Sequence, residues 1–367
     1  MDNKNTQKAG DNSNQVQLTN CNVSFGITEE KVRELIKDEN KLLIASCNEI
    51  ARDVAMIRSK KIEEKFVAEL VKGKLLEELK RPEVLVAVRE TEEQAICTDD
   101  EKSYELLSKI LSNRIKYSND RLVVSSLKNA TEVATQITDE ALSGLTISFL
   151  MSKYGPATVD ITQGLKFLND MYGIVNLTEL PKDKSWLEQL DILKLARINS
   201  FGGMKKMIDY YYEVLSGYVC VGIKKDSDRY KKAVEILEGV KLSKYDLVTH
   251  ELNGDYVRLP ISTEKDFESV RHFTSQGMVS LTAEQRKAYE KINQLYEKND
   301  AILNSNKKAF KIMWDKFPNL VKVREWWDNI KPSFDITIVG KVLAYTNINN
   351  INKNVDLPQL ELRDLIR

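Results

Sequence analysis

The residues of this chain that can do chemistry are few and scattered. Only two histidines occur, His250 and His272. Any Ser–His–Asp or Cys–His arrangement has to use one of them, and no paired-histidine zinc helix is possible. His272 falls in Val-Arg-His-Phe on an expected helix. Gly217 and Gly222 have P-loop separation, but Ile223 stands where a phosphate-binding lysine is needed, and no Ser or Thr follows Lys224. Gly202-Gly203 reads as a turn. The acidic run Asp99-Asp100-Glu101 offers carboxylates to a cation, but it also has the form of a helix cap. Cys21, Cys47, Cys97 and Cys220 are far apart, match no metal-ligand spacing and read as reduced thiols. The expectation is no metal, no cofactor and no catalytic set, which points away from an enzyme.

Two stretches offer binding instead. Lys307–Lys331 interleaves Lys307, Lys308, Lys311, Lys316, Lys322, Arg324 and Lys331 with Trp314, Phe317, Trp326 and Trp327; only Asp315, Glu325 and Asp328 oppose them. Basic groups beside exposed aromatics can hold a phosphate backbone and stack bases. Lys307, Lys308, Lys311, Trp314, Lys322, Arg324 and Trp327 are therefore candidate nucleic-acid contacts. The competing reading makes the tryptophans core and the lysines a solvated outer face. The second stretch is the leader, uncharged from Asn12 to Thr28. Val16 and Leu18 alternate with Gln15 and Gln17; Cys21, Val23, Phe25 and Ile27 alternate with polar neighbours. Period two predicts two short strands, and a lone hairpin is marginal in water, so a partner is required. Stacking between copies would put Val16, Leu18, Val23 and Phe25 in a seam and Gln15, Gln17 and Asn22 in amide ladders. An edge strand tucked against the chain's own body is the alternative.

These stretches must be positioned by helices. The 367 residues are 42% apolar and 30% charged, an ordinary composition with room for a sizeable core. Lys plus Arg equals Asp plus Glu at 55 each, so only local patches can attract an anionic partner. Val123, Leu127, Ala130, Ala134, Ile137 and Ala141 recur every three or four residues, one face of a helix; Tyr104, Leu107, Ile110, Leu111 and Ile115 do the same. Further helices are expected over 29–58, 60–80, 83–97, 161–172, 182–198, 204–215, 226–238 and from Thr282 past Ile302. A short buried strand is expected over 216–223. The Asn-rich stretch 347–354 reads as loose. No apolar run reaches the roughly 20 residues of a membrane span. The fold class is mostly α, a multi-helix body behind a short β leader. Its divisions are a leader at 1–27, helical units at 28–154, 155–280 and 281–346, and a tail at 347–367.

The opening Ala9-Gly10-Asp11-Asn12-Ser13-Asn14-Gln15-Val16-Gln17 resembles an uncharacterised family of bacterial proteins with a Gly-Asp-Asn-Ser…Gln-x-Gln leader before a helical body. It is also similar to amyloid-type adhesion motifs on bacterial immune effectors. Asp99-Asp100-Glu101…Leu106–Leu111, Ile137-Thr138-Asp139-Glu140-Ala141-Leu142 and Thr337-Ile338-Val339-Gly340 resemble the abortive-infection alpha type. The resemblance implies a bacterial cytoplasmic protein of anti-phage or accessory defence, acting without catalysis. It implies contact with a protein partner or phage component, while the leader's own pattern adds homo-oligomerisation and the 307–331 segment adds nucleic acid as the alternative partner.

Overall fold

The computed structural model describes residues 28–45, 49–263, 267, 270–274 and 277–366. The strands expected in the leader, with Gln15, Val16, Gln17, Leu18, Asn22, Val23 and Phe25, fall outside the described residues, as do Cys21 and Cys47. The described chain is mostly helical, with three small antiparallel sheets in its middle and C-terminal parts.

The N-terminal helices are α1 (Glu29–Ala45), α2 (Glu49–Gly73) and α3 (Pro82–Ala95). The expected helix break near Arg58 does not occur: α2 runs through it and ends at Gly73. Pro82 opens α3 at its first turn, where the missing N–H is no loss. Val32, Ile36, Phe66, Leu70, Leu79, Val84 and Val88 close a core of their own with Leu111 and Ile115.

The next helices are α4 (Glu101–Lys116), α5 (Arg121–Val133), α6 (Asp139–Lys153) and α7 (Ile161–Tyr172). The acidic run is a cap: the Asp100 carboxylate accepts from Lys102 N and Ser103 N at the start of α4. The single helix expected over 121–141 is two, because Thr138 caps α6 by accepting from Ala141 N. Every residue of α6 from Ala141 to Met151 is buried, so it is a central helix without an outer face. Its buried hydroxyls are satisfied locally, Thr146 donating to Leu142 O and Ser148 to Gly144 O.

The helix expected over 182–198 is instead α8 (Ser185–Ile192) followed by β1 (Ala196–Gly203). Lys194 adopts a positive φ of 57°, which turns the chain out of the helix. After α9 (Met207–Val214), the strand expected over 216–223 is mainly a helical turn, α10 (Ser216–Val219), ahead of β2 (Ile223–Lys224). Then come α11 (Asp228–Gly239), β3 (Val248–Thr249) and β4 (Tyr256–Arg258), β3 and β4 joined through a turn containing Asn253-Gly254-Asp255. His272 stands on a strand, not a helix, in the hairpin of β5 (Arg271–Thr274) and β6 (Gly277–Ser280).

Thr282 and Gln285 form a capping box at the start of α12 (Ala283–Asn293). The long helix expected to follow divides there, and Ile302 belongs to α13 (Asp300–Trp314), capped by Asn299. α14 (Pro318–Trp327), β7 (Pro332–Ile336), α15 (Ile338–Ile351) and α16 (Leu362–Ile366) complete the chain. The stretch 347–354 is not loose at its start: α15 reaches Ile351, and Asn347 donates to Thr146 Oγ1 at 3.0 Å. α6 and α15, both apolar around most of their circumference, sit at the centre of the largest core with α4, α5, α7, α13 and α14. A second core joins α11 and α12 to the β2–β4–β3 sheet.

Candidate functional site

Three buried clusters occupy the conspicuous titratable groups His250, Arg258, Tyr172 and Tyr211. His250 is fully buried. Its Nδ1 accepts from Leu252 N at 3.2 Å, which leaves Nε2–H to donate to Cys220 O at 2.8 Å. Asn306 Nδ2 donates to the same carbonyl at 2.7 Å. Burial pushes the His250 imidazole down to about 4, against the opposing pull of its bond to Cys220. His250 thus stands beside Cys220, but the Cys220 thiol donates to Gly217 O at 3.4 Å, and both ring nitrogens already serve the backbone. The pair is a structural staple between α10 and β3, not a nucleophile and its base.

Arg258 is also fully buried. Its guanidinium donates to the carbonyls of Leu259, Ile261 and Val159, at 3.2, 3.0 and 2.6 Å. The Glu251 carboxylate lies 3.7 Å away and accepts from Ile161 N at the start of α7. Tyr172 and Tyr211 meet hydroxyl to hydroxyl at 2.6 Å inside the main core, where burial holds both phenols well above their ordinary range. Among the described residues no group of three or more His, Cys, Asp or Glu side chains could hold a metal ion.

The basic tryptophan segment does not form one surface. Trp314 is fully buried and Trp327 nearly so, with their indole N–H groups donating to Leu320 O and Lys205 O. Neither ring is free to stack on a ligand. Arg324 and Lys311 both bind Asp315. Burial raises that carboxyl, but the hydrogen bonds from Lys311 and Arg324 outweigh it and hold it below the usual carboxylate range. Lys308 is exposed on α13. Lys307 lies at the edge of a separate 540 Å³ pocket, its Nζ 5.3 Å from the centre of the Tyr212 ring.

Lys322 takes a different place. With Trp326 and Lys331 it lines a cleft of 780 Å³ between α14 and the segment leading into α8. Lys182 and Lys184 stand on the opposite wall. Trp326 is half-buried and fixed: its Nε1–H donates to Pro181 O at 3.1 Å, and its ring centre lies 5.5 Å from that of Trp186. Trp186 is held in turn against Gly144, where a Cβ would come within 2.8 Å of the indole. The negative charges in the cleft are Asp183 and Glu325. Asp183 is occupied by the hydroxyl and backbone N–H of Ser185, which hold its carboxyl below the usual range. Lys184 lies 3.8 Å from Glu188; among the described residues Lys182, Lys322 and Lys331 have no ion-pair partner. Lys322 is among the contacts expected from the sequence; Lys182 and Lys184, about 140 residues away along the chain, are not. The Lys-Asp-Lys run before Trp186 is the signal that could have found them.

No helix among the described residues is long and apolar enough to cross a membrane. No curated protein and no solved structure matches the chain. A family model does match, over residues 26–360, so the chain belongs to that uncharacterised family. The match carries no link to the abortive-infection alpha type and covers the helical body, leaving most of the leader outside.

Proposed function

We propose, from the premise that residues 26–360 are the body this family shares, that the body is a binding module for single-stranded nucleic acid. The observation that carries the reading is the cleft beside α14. Three lysines without ion pairs, Lys182, Lys322 and Lys331, surround the immobilised half-buried indole of Trp326. Unpaired ammonium groups attract phosphates at no cost in broken salt bridges, and a fixed aromatic face stacks on any base. A chain with a formal charge of zero does not attract polyanions generally, so such binding must rest on local basic surface such as this cleft.

The test is titration of the full chain with oligothymidylate, followed by tryptophan fluorescence at several salt concentrations. Binding should quench Trp326 and weaken with salt at a slope of about −0.7 per phosphate contacted. Lys322→Gln with Lys331→Gln should lower affinity and flatten that slope by about 1.4. No binding at low salt, or a double variant that binds like the parent, refutes the reading.

A second reading concerns assembly. The uncharged run from Asn12 to Thr28, with alternating apolar residues, favours homo-oligomerisation through the leader. Together the two readings describe a non-enzymatic protein that gathers copies through its leader and presents basic clefts on its body. An anti-phage or accessory defence role is the biological setting we propose for such an assembly.

A further inference from the structure

The cleft at Trp326 is not the whole of the basic surface around β7. A second cavity, of 590 Å³, contains Phe334, Asp335 and Ile336 of β7, the edge of Trp327, and Lys153, Lys205 and Lys341. Lys205 is paired with Glu213 at 2.7 Å, while Lys153 and Lys341 have no ion pair among the described residues. Both cavities therefore combine aromatic lining with unpaired lysines, and the β1–β7 ribbon belongs to both. Pro332 lines the first, and Phe334 to Ile336 line the second.

Along this ribbon, β1 is irregular. Asn199 pairs with Ser333 and Gly203 with Pro332, so the residues between them bulge out of the ladder. The bulge carries Phe201, whose side chain is fully exposed at 103% of its reference area. An exposed phenylalanine forgoes the roughly 1.5–3 kcal/mol that burying it would contribute. The backbone beside it is built to stay close: a Cβ at Gly202 would come within 2.3 Å of Ser333 Oγ. Gly203, two residues after Phe201, pairs with Pro332 of the first cleft, and Met204 lines the second. Phe201 lines neither cavity itself, but it stands on the ribbon whose residues line both.

We infer that the two clefts form one track for a single nucleic-acid strand, with Phe201 stacking on a base as the strand crosses the β1–β7 ribbon. The inference rests on the reading of the first cleft as a nucleic-acid site and adds its extent: a strand of several nucleotides rather than a mononucleotide. Stacking suits this position because an unpaired base offers its face without requiring a specific edge contact. The binding is accordingly tolerant of sequence and graded by length.

The experiment measures affinity of the full chain for oligothymidylates of two, four, eight and twelve nucleotides. Parent affinity should rise from the shortest to the longer strands. Phe201→Ala should weaken binding of the twelve-mer about ten-fold, the size of one lost stack, and change dimer binding less than two-fold. Lys153→Gln with Lys341→Gln should cut the salt slope for the twelve-mer by about 1.4 and leave that of the dimer unchanged. Phe201 is wholly exposed, so its removal does not threaten the fold, and far-ultraviolet circular dichroism verifies the lysine variants. Equal affinity for all lengths, or variants that bind the twelve-mer as the parent does, overturns the track. In that event the dimer still binds and still responds to Lys322→Gln, so the first cleft stands. A parent that binds no oligothymidylate overturns both.

Discussion

The buried His250 makes the protein sensitive to mild acid in a way that can be calculated. Its folded pKa is about 4, against 6.5 for the free side chain. The neutral ring is required, because Nδ1 must accept from Leu252 N while Nε2–H donates to Cys220 O. Between the two values the unfolded chain binds the extra proton, so stability falls as pH falls. The contribution is intact above 6.5 and lost progressively as pH drops toward 4. From pH 7 to pH 5 the linkage relation gives a loss of about 2 kcal/mol, approaching about 3 kcal/mol near pH 4. Carboxylates also lose ion pairs in this range, so the histidine's share needs a control that does not titrate. His250→Gln keeps a donor toward Cys220 O and removes the proton. Urea denaturation at pH 7, 6 and 5 should show the parent losing about 2 kcal/mol more than the variant across that interval. Parallel stability–pH curves, or an imidazole that titrates near 6.5 by NMR in the folded protein, would refute the assignment.

Arg258→Met should destabilise the protein by about 3 kcal/mol or more, read as a shift in urea midpoint. It leaves the carbonyls of Ile261 and Val159 without this donor, each worth about 1–3 kcal/mol, while the Leu259 carbonyl keeps its bond from Ile261 N. An unchanged midpoint would show that water replaces the guanidinium. For the leader, Val16→Lys with Val23→Lys should convert an oligomer to a monomer by light scattering while leaving helical content unchanged. Retention of the parent mass would remove the leader as the assembly element.

Much of the fold was legible because its signals are local. Asp100, Thr282 and Gln285 cap helices from within one turn, and the Pro82 start needs only the chemistry of proline. The mistakes share a cause. At 182–198 and 216–223 the apolar spacing fits a short helix and a short strand equally well, and tertiary contacts decide. β1 forms because β7, about 130 residues later, supplies its ladder, and Thr337 ties the two by donating to the carbonyl of Lys194 at 2.8 Å. The same long range hid the order of 347–351. Asparagines that read as loose are helical because α15 is enclosed by α4, α5 and α6, where Asn347 finds Thr146.

The candidate site was half legible for a related reason. Composition along Lys307–Lys331 identifies charge and indoles but not which way each points. On α14 the period of 3.6 sends Trp327 into the core with Leu320 and Val323, while its neighbour Trp326 turns 100° away to the rim. A basic helix therefore distributes its aromatics between core and cleft, so the two readings of the segment apply to different residues. Trp314 and Trp327 are packing; Lys322, Trp326 and Lys331 are surface. What completes the surface comes from elsewhere in the chain, Lys182 ahead of α8 and Phe201 in the β1 bulge. Lys182 is one charge in an ordinary loop and Phe201 one apolar residue in an ordinary strand. Only the pairing of 199–203 with 332–333 puts the phenylalanine on the ribbon whose other strand lines both cavities, and only full exposure marks it as a residue the core did not claim.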